Sequence, residues 1–244
     1  MCRTMKPKQR SVVLVHGAFG GGFLWRSVAE ALRSASFEVY TPTLTGLGER
    51  RHLFRAEVSL ATHTRDIEAV FQYEDLDDVV LVGHSYGCMV IAGLSEEVAA
   101  RVASVVLLDG PLPREGESMH TMFADLDESV VPKNLRSLQN RDTPEPGVLL
   151  MELPETLAKD HRMSPHPVST HWASVSMHGV FDPPRRCTYV KCLQATFDAK
   201  SVVRARNDGW RIIEIDAPHD AHVADPSLVA HLISQIASDD AGAD

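Results

Sequence analysis

The stretch VVLVGHSYGCMVIA, residues 79–92, decides the fold expected of this chain. Four apolar residues are followed by a glycine, and a second apolar run begins after another glycine. Between the glycines, Ser85 stands in the pattern G-x-S-x-G. Glycines are needed where a strand turns sharply into a helix, because the two backbones approach closely there. The stretch therefore predicts a strand, a tight turn that exposes the serine hydroxyl, and a helix.

The same alternation of apolar strands and helix-like periodicity extends over most of the chain. Strands that are apolar throughout are typical of a sheet covered by helices on both faces. We therefore expect an α/β fold with a mostly parallel sheet flanked by helices. The apolar runs that predict its strands are 11–16, 37–41, 78–84, 104–109, 188–193 and 211–216.

Composition limits the functions that the chain can have. With 244 residues, 44% of them hydrophobic, one domain with a small addition is expected. The net charge of -9 without a long basic run excludes a nucleic-acid partner, and no export signal or membrane span is predicted. The four cysteines have no metal-ligand spacing, so neither a metal site nor disulfides are expected, and a cytoplasmic location is favoured. The oligomeric state is not indicated.

Residues 111–184 interrupt the alternation. They hold ten of the 14 prolines, which neither central strands nor helix interiors tolerate. Their many large apolar residues favour packed structure over a flexible linker. We predict a helical cap at 111–184, inserted after the sixth core strand, and a core formed by residues 1–110 and 185–244.

A serine hydroxyl needs a base before it becomes a nucleophile. Of the 12 histidines, His219 follows the last apolar strand, in the loop APHDAHVADP before the final helix. That loop is expected at the carboxyl edge of the sheet, where ligands bind in α/β folds. We therefore predict that His219 activates Ser85. Its local competitor is His222, and the alternative role for Ser85 is a helix cap.

Backbone amides must hold the oxyanion that such a reaction forms. The first strand runs into HGAFGGG, residues 16–22, whose small residues leave main-chain amides accessible. We predict an oxyanion hole from the amide of Tyr86 together with that of Ala18 or Phe19. A phosphate-binding loop is less favoured, because no Lys-Ser or Lys-Thr pair follows the glycines.

These motifs resemble the α/β-hydrolase superfamily, in particular the branch of plant methyl-ester esterases, hydroxynitrile lyases and their bacterial relatives. The resemblance covers nearly the whole chain outside the cap. It implies that the histidine seven residues before Pro226 is the base, which is again His219. The stretches that carry it are VLVHGAFGGGFLW (13–25), EVYTPTLTGLGER (38–50), VVLVGHSYG (79–87), VVLLDGPLP (105–113) and HDAHVADP (219–226).

The chain departs from this branch in two ways. Gly17 and Asp220 stand where the hydroxynitrile lyases usually carry threonine and lysine, which weakens the lyase interpretation. The family's acid usually follows the penultimate strand in a pattern similar to CTxD, and here Ala195 takes that place. Asp109, directly after the strand VVLL, and Asp198 are the two candidates for the triad acid; we favour Asp109.

The predicted function is hydrolysis of a small-molecule carboxylic ester, thioester or lactone through an acyl-enzyme, with no cofactor. The alternatives are a lyase or cyclase that uses the histidine as a proton shuttle, and a ligand-sensing protein on a hydrolase scaffold. Apolar residues of the cap are expected to line the substrate pocket. The candidates are Met119, Met122, Phe123, Trp172 and Met177, beside Phe19 and Tyr86.

Overall fold

A computed structural model describes residues 10–124, 148–183, 186–195 and 199–241 of the chain. Its main sheet has six strands in the order β2-β1-β3-β4-β7-β8, and every neighbouring pair is parallel. The six predicted apolar runs all contain or overlap one of these strands, so the predicted fold class is confirmed. The strands are β1 (Ser11–Val15), β2 (Glu38–Tyr40), β3 (Val79–His84), β4 (Val102–Leu108), β7 (Cys187–Cys192) and β8 (Arg211–Ile215).

Helices cover both faces of this sheet. In the described ranges, no helix combines the length and apolar character that crossing a membrane requires. Short 3-10 helices occupy Gly22–Trp25 and Gly48–Leu53. The α-helices are α1 (Arg26–Ser34), α2 (Leu60–Tyr73), α3 (Gly87–Ala92), α4 (Glu96–Ala99), α5 (Met119–Phe123), α6 (Ser169–Trp172), α7 (Ala199–Asn207), α8 (Ala221–Ala224) and α9 (Pro226–Ala241).

The two faces of the sheet build two separate apolar layers. Because successive side chains of a strand point to opposite faces, Val13 packs in one layer and Val12 in the other. Helices α2 and α3 cover the Val13 layer, and α1 and α9 cover the Val12 layer. Burial on both faces explains why these strands are apolar throughout.

The segment between β4 and β7 departs from the alternation, as predicted. Its described parts contain α5, α6 and an antiparallel ribbon of β5 (Leu150–Met151) and β6 (His166–Pro167). It leaves the sheet after β4, the fourth strand in chain order, not after a sixth strand as predicted, because only four apolar runs precede it. The division into a core and a cap at residues 111 and 184 stays a prediction.

Candidate active site

The turn between β3 and α3 exposes Ser85 at the carboxyl edge of the sheet. Ser85 has a φ of 52°, in the left-handed region that side chains rarely adopt. Its amide donates to the carbonyl of Leu108 at 3.2 Å, which ties the turn to the neighbouring strand. A Cβ atom on Gly87 would lie 2.7 Å from the carbonyl oxygen of Val15. The predicted sharp turn is present, and its glycine is required by close backbone contact.

Asp109 follows β4 and is fully buried. Its Oδ2 accepts a hydrogen bond from Nδ1 of His219 at 2.8 Å. Its Oδ1 accepts from Nζ of Lys191 at 2.8 Å and from the amide of Cys192 at 3.1 Å. Burial by itself would raise the pKa of Asp109, but the bonds from His219 and Lys191 outweigh it and hold the pKa below its ordinary value. The carboxylate is therefore charged, and it fixes Nδ1 of His219 as the protonated nitrogen.

The neighbours of Ser85 contact the residues that carry the acid and the base. A Cβ on Gly110, the residue after Asp109, would lie 2.6 Å from the carbonyl oxygen of Ser85. His84 donates from Nε2 to the carbonyl of His219 at 3.0 Å, and the two rings are 4.6 Å apart. The structure thus brings Ser85, Asp109 and His219 to one edge of the sheet.

His222 and Asp198 were the alternatives to His219 as the base and to Asp109 as the acid. His222 packs its ring 4.4 Å from that of Trp25, and neither of its ring nitrogens has a hydrogen-bond partner among the described residues. The nitrogen that binds the Asp109 carboxylate thus belongs to His219. Asp198, the rival acid, lies outside the described residues.

The loop after β1 lies directly against the serine, because a Cβ on Gly17 would come within 3.0 Å of the Cβ of Ser85. Phe19, with a φ of 66°, donates its amide to Nδ1 of His166 at 3.3 Å. The amides of Ala18 and Tyr86 make no hydrogen bond to another described residue. The sequence left Ala18 and Phe19 as alternatives for the second oxyanion donor, and of these two Ala18 is the one with a free amide.

A small cavity of about 30 Å³ lies beside this loop. Of the five cap residues expected in the pocket, Met119 lines it. His166 and His171 also line it and were not among the predicted pocket residues, because the sequence does not distinguish a pocket-lining from a surface role for the histidines of this segment. The cavity is lined by Ala18, Phe19, Tyr86, Met119, Met151, His166, Thr170 and His171.

The other four expected pocket residues are used in packing around this cavity. The sulfur atom of Met122 lies 3.2 Å from the guanidinium of Arg204. Phe123 and Met177 pack in the same apolar layer as α3, and Trp172 stacks on the ring of His120. These four residues do not line this cavity, because bulky apolar residues also serve to attach the segment to the sheet; their place in the substrate pocket stays a prediction. A separate open groove of about 520 Å³ at β2 includes none of the predicted site residues.

Within the described part of the chain, one group of side chains could hold a metal ion. Ligand atoms of His84, Asp220 and His222 lie within 4.8 Å of one another. The Nε2 atom of His84 is already used by the carbonyl of His219, and the rings of His84 and His222 pack against each other at 4.3 Å. These contacts give the group a packing role behind His219.

Comparison with known proteins agrees with this geometry. A family model described as "Alpha/beta hydrolase family" matches residues 12–232. A carbendazim hydrolyzing esterase of Nocardioides sp. (strain SG-4G) is 49% identical over 111 residues, 46% of this chain and 46% of that protein. Methyl jasmonate esterase 1 of Vitis vinifera is 25% identical over 165 residues, 66% of this chain and 63% of that protein. The alignments thus span roughly half to somewhat less than two thirds of these relatives' own length.

Solved structures resemble the chain over nearly its whole length. An extracellular alpha/beta-hydrolase from a Paenibacillus species has a TM-score of 0.75 at 22% identity, covering 93% of this chain and 98% of that one. A pyrethroid hydrolase from Sphingobium faniae JZ-2 has a TM-score of 0.67 at 19% identity, covering 95% and 98%. At this identity the likeness establishes the fold alone.

Proposed function

The chain belongs to the alpha/beta hydrolase family, and from this premise we propose that it hydrolyses a small-molecule carboxylic ester through an acyl-enzyme on Ser85. The hydrogen bond of 2.8 Å between His219 Nδ1 and Asp109 Oδ2 carries the proposal. It occurs at the sheet edge where a strained turn presents Ser85. A charged carboxylate, an imidazole and an exposed hydroxyl are the groups that acyl transfer requires.

The proposed reaction begins when Nε2 of His219 takes the proton of the Ser85 hydroxyl. The serine oxygen attacks the ester carbonyl carbon, and the amides of Ala18 and Tyr86 stabilise the oxyanion. The carbon–oxygen bond to the alcohol then breaks, and the alcohol leaves with the proton from His219. Water, deprotonated by His219, cleaves the acyl-serine, and the acid is released. No metal or organic cofactor is needed for these steps.

Asp109 stabilises the imidazolium that forms twice in this cycle. In the resting state its charge is balanced by Lys191, and His219 contributes a hydrogen bond from Nδ1. A buried carboxylate near a developing positive charge acts strongly, since water does not screen it. Asp109 thus orients His219 and lowers the energy of its protonated form.

The cap is proposed to supply the pocket for the substrate. This proposal keeps the core at residues 1–110 and 185–244 and the cap at 111–184. Five residues of the segment line the cavity next to Ala18 and Tyr86, namely Met119, Met151, His166, Thr170 and His171. The esterase names of the relatives favour an ester over a thioester or a lactone, and carbendazim, methyl jasmonate and pyrethroid esters are the first compounds to test.

The test combines labelling and kinetics. Wild type is treated with a fluorophosphonate and the modified residue is identified by mass spectrometry, beside an assay of the ester panel. We expect the adduct on Ser85, and we expect Ser85→Ala to lower kcat by on the order of 10⁴ to 10⁶. Ser34→Ala, at an exposed helix position, is the matched control and keeps wild-type rates.

Two results would contradict the proposal. Hydrolysis that survives Ser85→Ala nearly intact would exclude the covalent route. Absence of both labelling and hydrolysis in wild type would favour a lyase, a cyclase or a binding protein on the same scaffold.

A further inference from the structure

His166 is a buried histidine for which the proposed reaction has no use. It lies in β6, it is fully buried, and it lines the cavity of about 30 Å³ beside Tyr86 and Met119. Its Nδ1 accepts the amide hydrogen of Phe19 at 3.3 Å. A nitrogen that accepts a hydrogen bond carries no proton, so this contact settles the tautomer of the ring.

The remaining proton of the neutral ring is therefore on Nε2. This nitrogen is buried and has no hydrogen-bond partner among the described residues. Burial, with a further contribution from His63, His16 and His171, lowers the pKa of His166 well below its ordinary value, so the ring stays neutral. His166 thus presents a neutral N–H donor without an acceptor.

The two hydroxyl groups that line the cavity, those of Tyr86 and Thr170, already donate to other groups. The Tyr86 hydroxyl contacts Nδ1 of His63 at 2.9 Å, while Nε2 of His63 donates to the carbonyl of Thr45 at 2.9 Å. Because His63 donates through Nε2, its Nδ1 must accept from Tyr86. The hydroxyl of Thr170 donates to the carbonyl of Pro167 at 2.7 Å. Roughly nine in ten buried polar groups in folded proteins have a hydrogen-bond partner, so an unpaired donor that also lies beside a cavity suggests a ligand.

We infer that Nε2 of His166 donates a hydrogen bond to the substrate, and that the substrate is a neutral, otherwise apolar ester carrying a second acceptor near the scissile carbonyl. This inference rests on the proposed function. An ether oxygen, a carbonyl oxygen or a ring nitrogen would fit the donor. A carboxylate would not, because a buried charge needs a charged partner and the His166 ring is neutral.

The residues that line the cavity limit how far the acceptor lies from the scissile bond. Ala18 and Tyr86, whose amides hold the oxyanion in the proposed reaction, also line the cavity. The acceptor therefore lies a few bonds from the carbonyl carbon, on the acyl or the alcohol side.

His166 also connects substrate recognition to the oxyanion loop. Its Nδ1 holds the Phe19 amide, and the amide of Ser164 donates to the carbonyl of Phe19 at 2.9 Å. The two bonds hold the peptide groups on both sides of Phe19, next to Ala18. Loss of the Nδ1 contact should therefore slow every substrate, whereas loss of the Nε2 donor should slow those with the acceptor.

Two variants separate these effects. In His166→Asn the side-chain oxygen replaces Nδ1, so the acceptor for Phe19 is kept and the Nε2 donor is lost. In His166→Gln the side-chain amide reaches the position of Nε2, so a donor is kept and the contact to Phe19 is lost. Met151→Leu, which alters the same cavity without a hydrogen bond, is the matched control.

The substrates are pairs of equal shape that differ in one oxygen. The acyl pair is p-nitrophenyl butyrate and p-nitrophenyl methoxyacetate, and the alcohol pair is butyl acetate and 2-methoxyethyl acetate. The measured quantity is the ratio of kcat/KM for the ether ester to kcat/KM for the alkyl ester. Differences in intrinsic reactivity cancel when this ratio is compared between wild type and a variant.

In at least one pair we expect His166→Asn to lower this ratio about 5- to 10-fold, the effect of one hydrogen bond. His166→Gln should lower kcat for both members of the pair and keep more of the ratio, and Met151→Leu should change the ratio less than twofold. Melting temperatures and fluorophosphonate labelling of Ser85 check the folding of each variant.

Unchanged ratios in both pairs for His166→Asn, with hydrolysis and labelling intact, would overturn this inference and leave the proposed function standing. Equal ratio changes in His166→Asn and Met151→Leu would overturn it as well, since cavity shape would then explain them. Wild type that neither hydrolyses any ester nor reacts with the fluorophosphonate would overturn the proposed function and this inference with it.

Discussion

The sheet edge around Ser85 and the cavity beside Phe19 use histidines in opposite ways. His219 at the edge is 26% exposed at its side chain and bonded to a charged carboxylate. His166 in the cavity is fully buried, and the group bonded to it is a backbone amide. A carboxylate on one nitrogen makes an imidazole a good base, whereas burial without one keeps the ring neutral. The surroundings of a histidine, and not the residue type, therefore separate the proposed base, His219, from the proposed substrate-binding residue, His166.

The largest expected effect comes from removing the feature that distinguishes His219. Asp109→Asn leaves the imidazolium without a carboxylate, and we expect kcat to fall by about 10³ to 10⁴, as when other serine hydrolases lose the triad acid. Steady-state kinetics on an ester that wild type hydrolyses measures this loss.

Asp198→Asn is the comparison variant, with an expected change in kcat below about tenfold. A greater loss in Asp198→Asn than in Asp109→Asn would make Asp198 the acid. Melting temperatures separate lost catalysis from lost stability, because Asp109→Asn also removes the counter-charge of Lys191.

The second prediction concerns the neutral, buried histidines. Burial lowers the pKa of His16, His84 and His171 from 6.5 to about 4. Between pH 4 and pH 6.5 these rings are neutral in the folded protein and protonated in the unfolded chain. Their contribution to the free energy of unfolding is therefore complete above pH 6.5 and is lost as the pH falls towards 4. Each contributes a slope of about 1.4 kcal/mol per pH unit within that window. Denaturant unfolding at pH 7, 6 and 5 measures the slope.

His171→Gln should lower the slope of the unfolding free energy against pH by the contribution of one histidine. His52→Gln, at an exposed position, should leave this slope unchanged. The same slope in wild type and His171→Gln would show that burial of this ring does not control its protonation.

The smallest expected effect concerns Ser164, whose contacts hold the loop around Phe19. The hydroxyl of Ser164 accepts from the amide of Gly48 at 3.2 Å, while its own amide binds the carbonyl of Phe19. Ser164→Ala leaves the Gly48 amide without this acceptor, and we expect kcat/KM to fall about two- to fivefold and stability by about 1 kcal/mol. Ester kinetics and thermal unfolding check both values.

Ser174→Ala is the control for Ser164→Ala, because it removes an exposed hydroxyl in the same segment. An equal change in the two variants would mean that the loop around Phe19 does not depend on the Ser164 contact.

Much of the proposed catalytic edge could be predicted because its signals are local. The apolar run and flanking glycines around Ser85 predict the turn without any distant contact. His219 and Asp109 each follow a predicted strand, and parallel strands place their carboxyl ends at one edge. The position after a strand was therefore enough to name both residues as candidates, although it left Asp198 as the rival acid.

The cavity could not be predicted in the same way. Met122 and Phe123 satisfy the same apolar pattern as Met119, and a pattern does not distinguish a wall of a pocket from packing beneath it. The contact between Phe19 and His166 joins residues 147 positions apart. No periodicity extends over such a distance, so the loss of the Phe19 amide as an oxyanion donor was not foreseeable.

The sequence by itself determined the order of strands and helices, the bend at Ser85 and the strand ends that carry Asp109 and His219. These depend on backbone preferences and on apolar periodicity, which act within a few residues. Only the tertiary structure decided that the Phe19 amide is bound by His166, and that the Nε2 atom of this histidine is a buried donor beside the cavity. Burial and hydrogen-bond pairing depend on which distant segments meet, and these two properties set the charge and tautomer of His166.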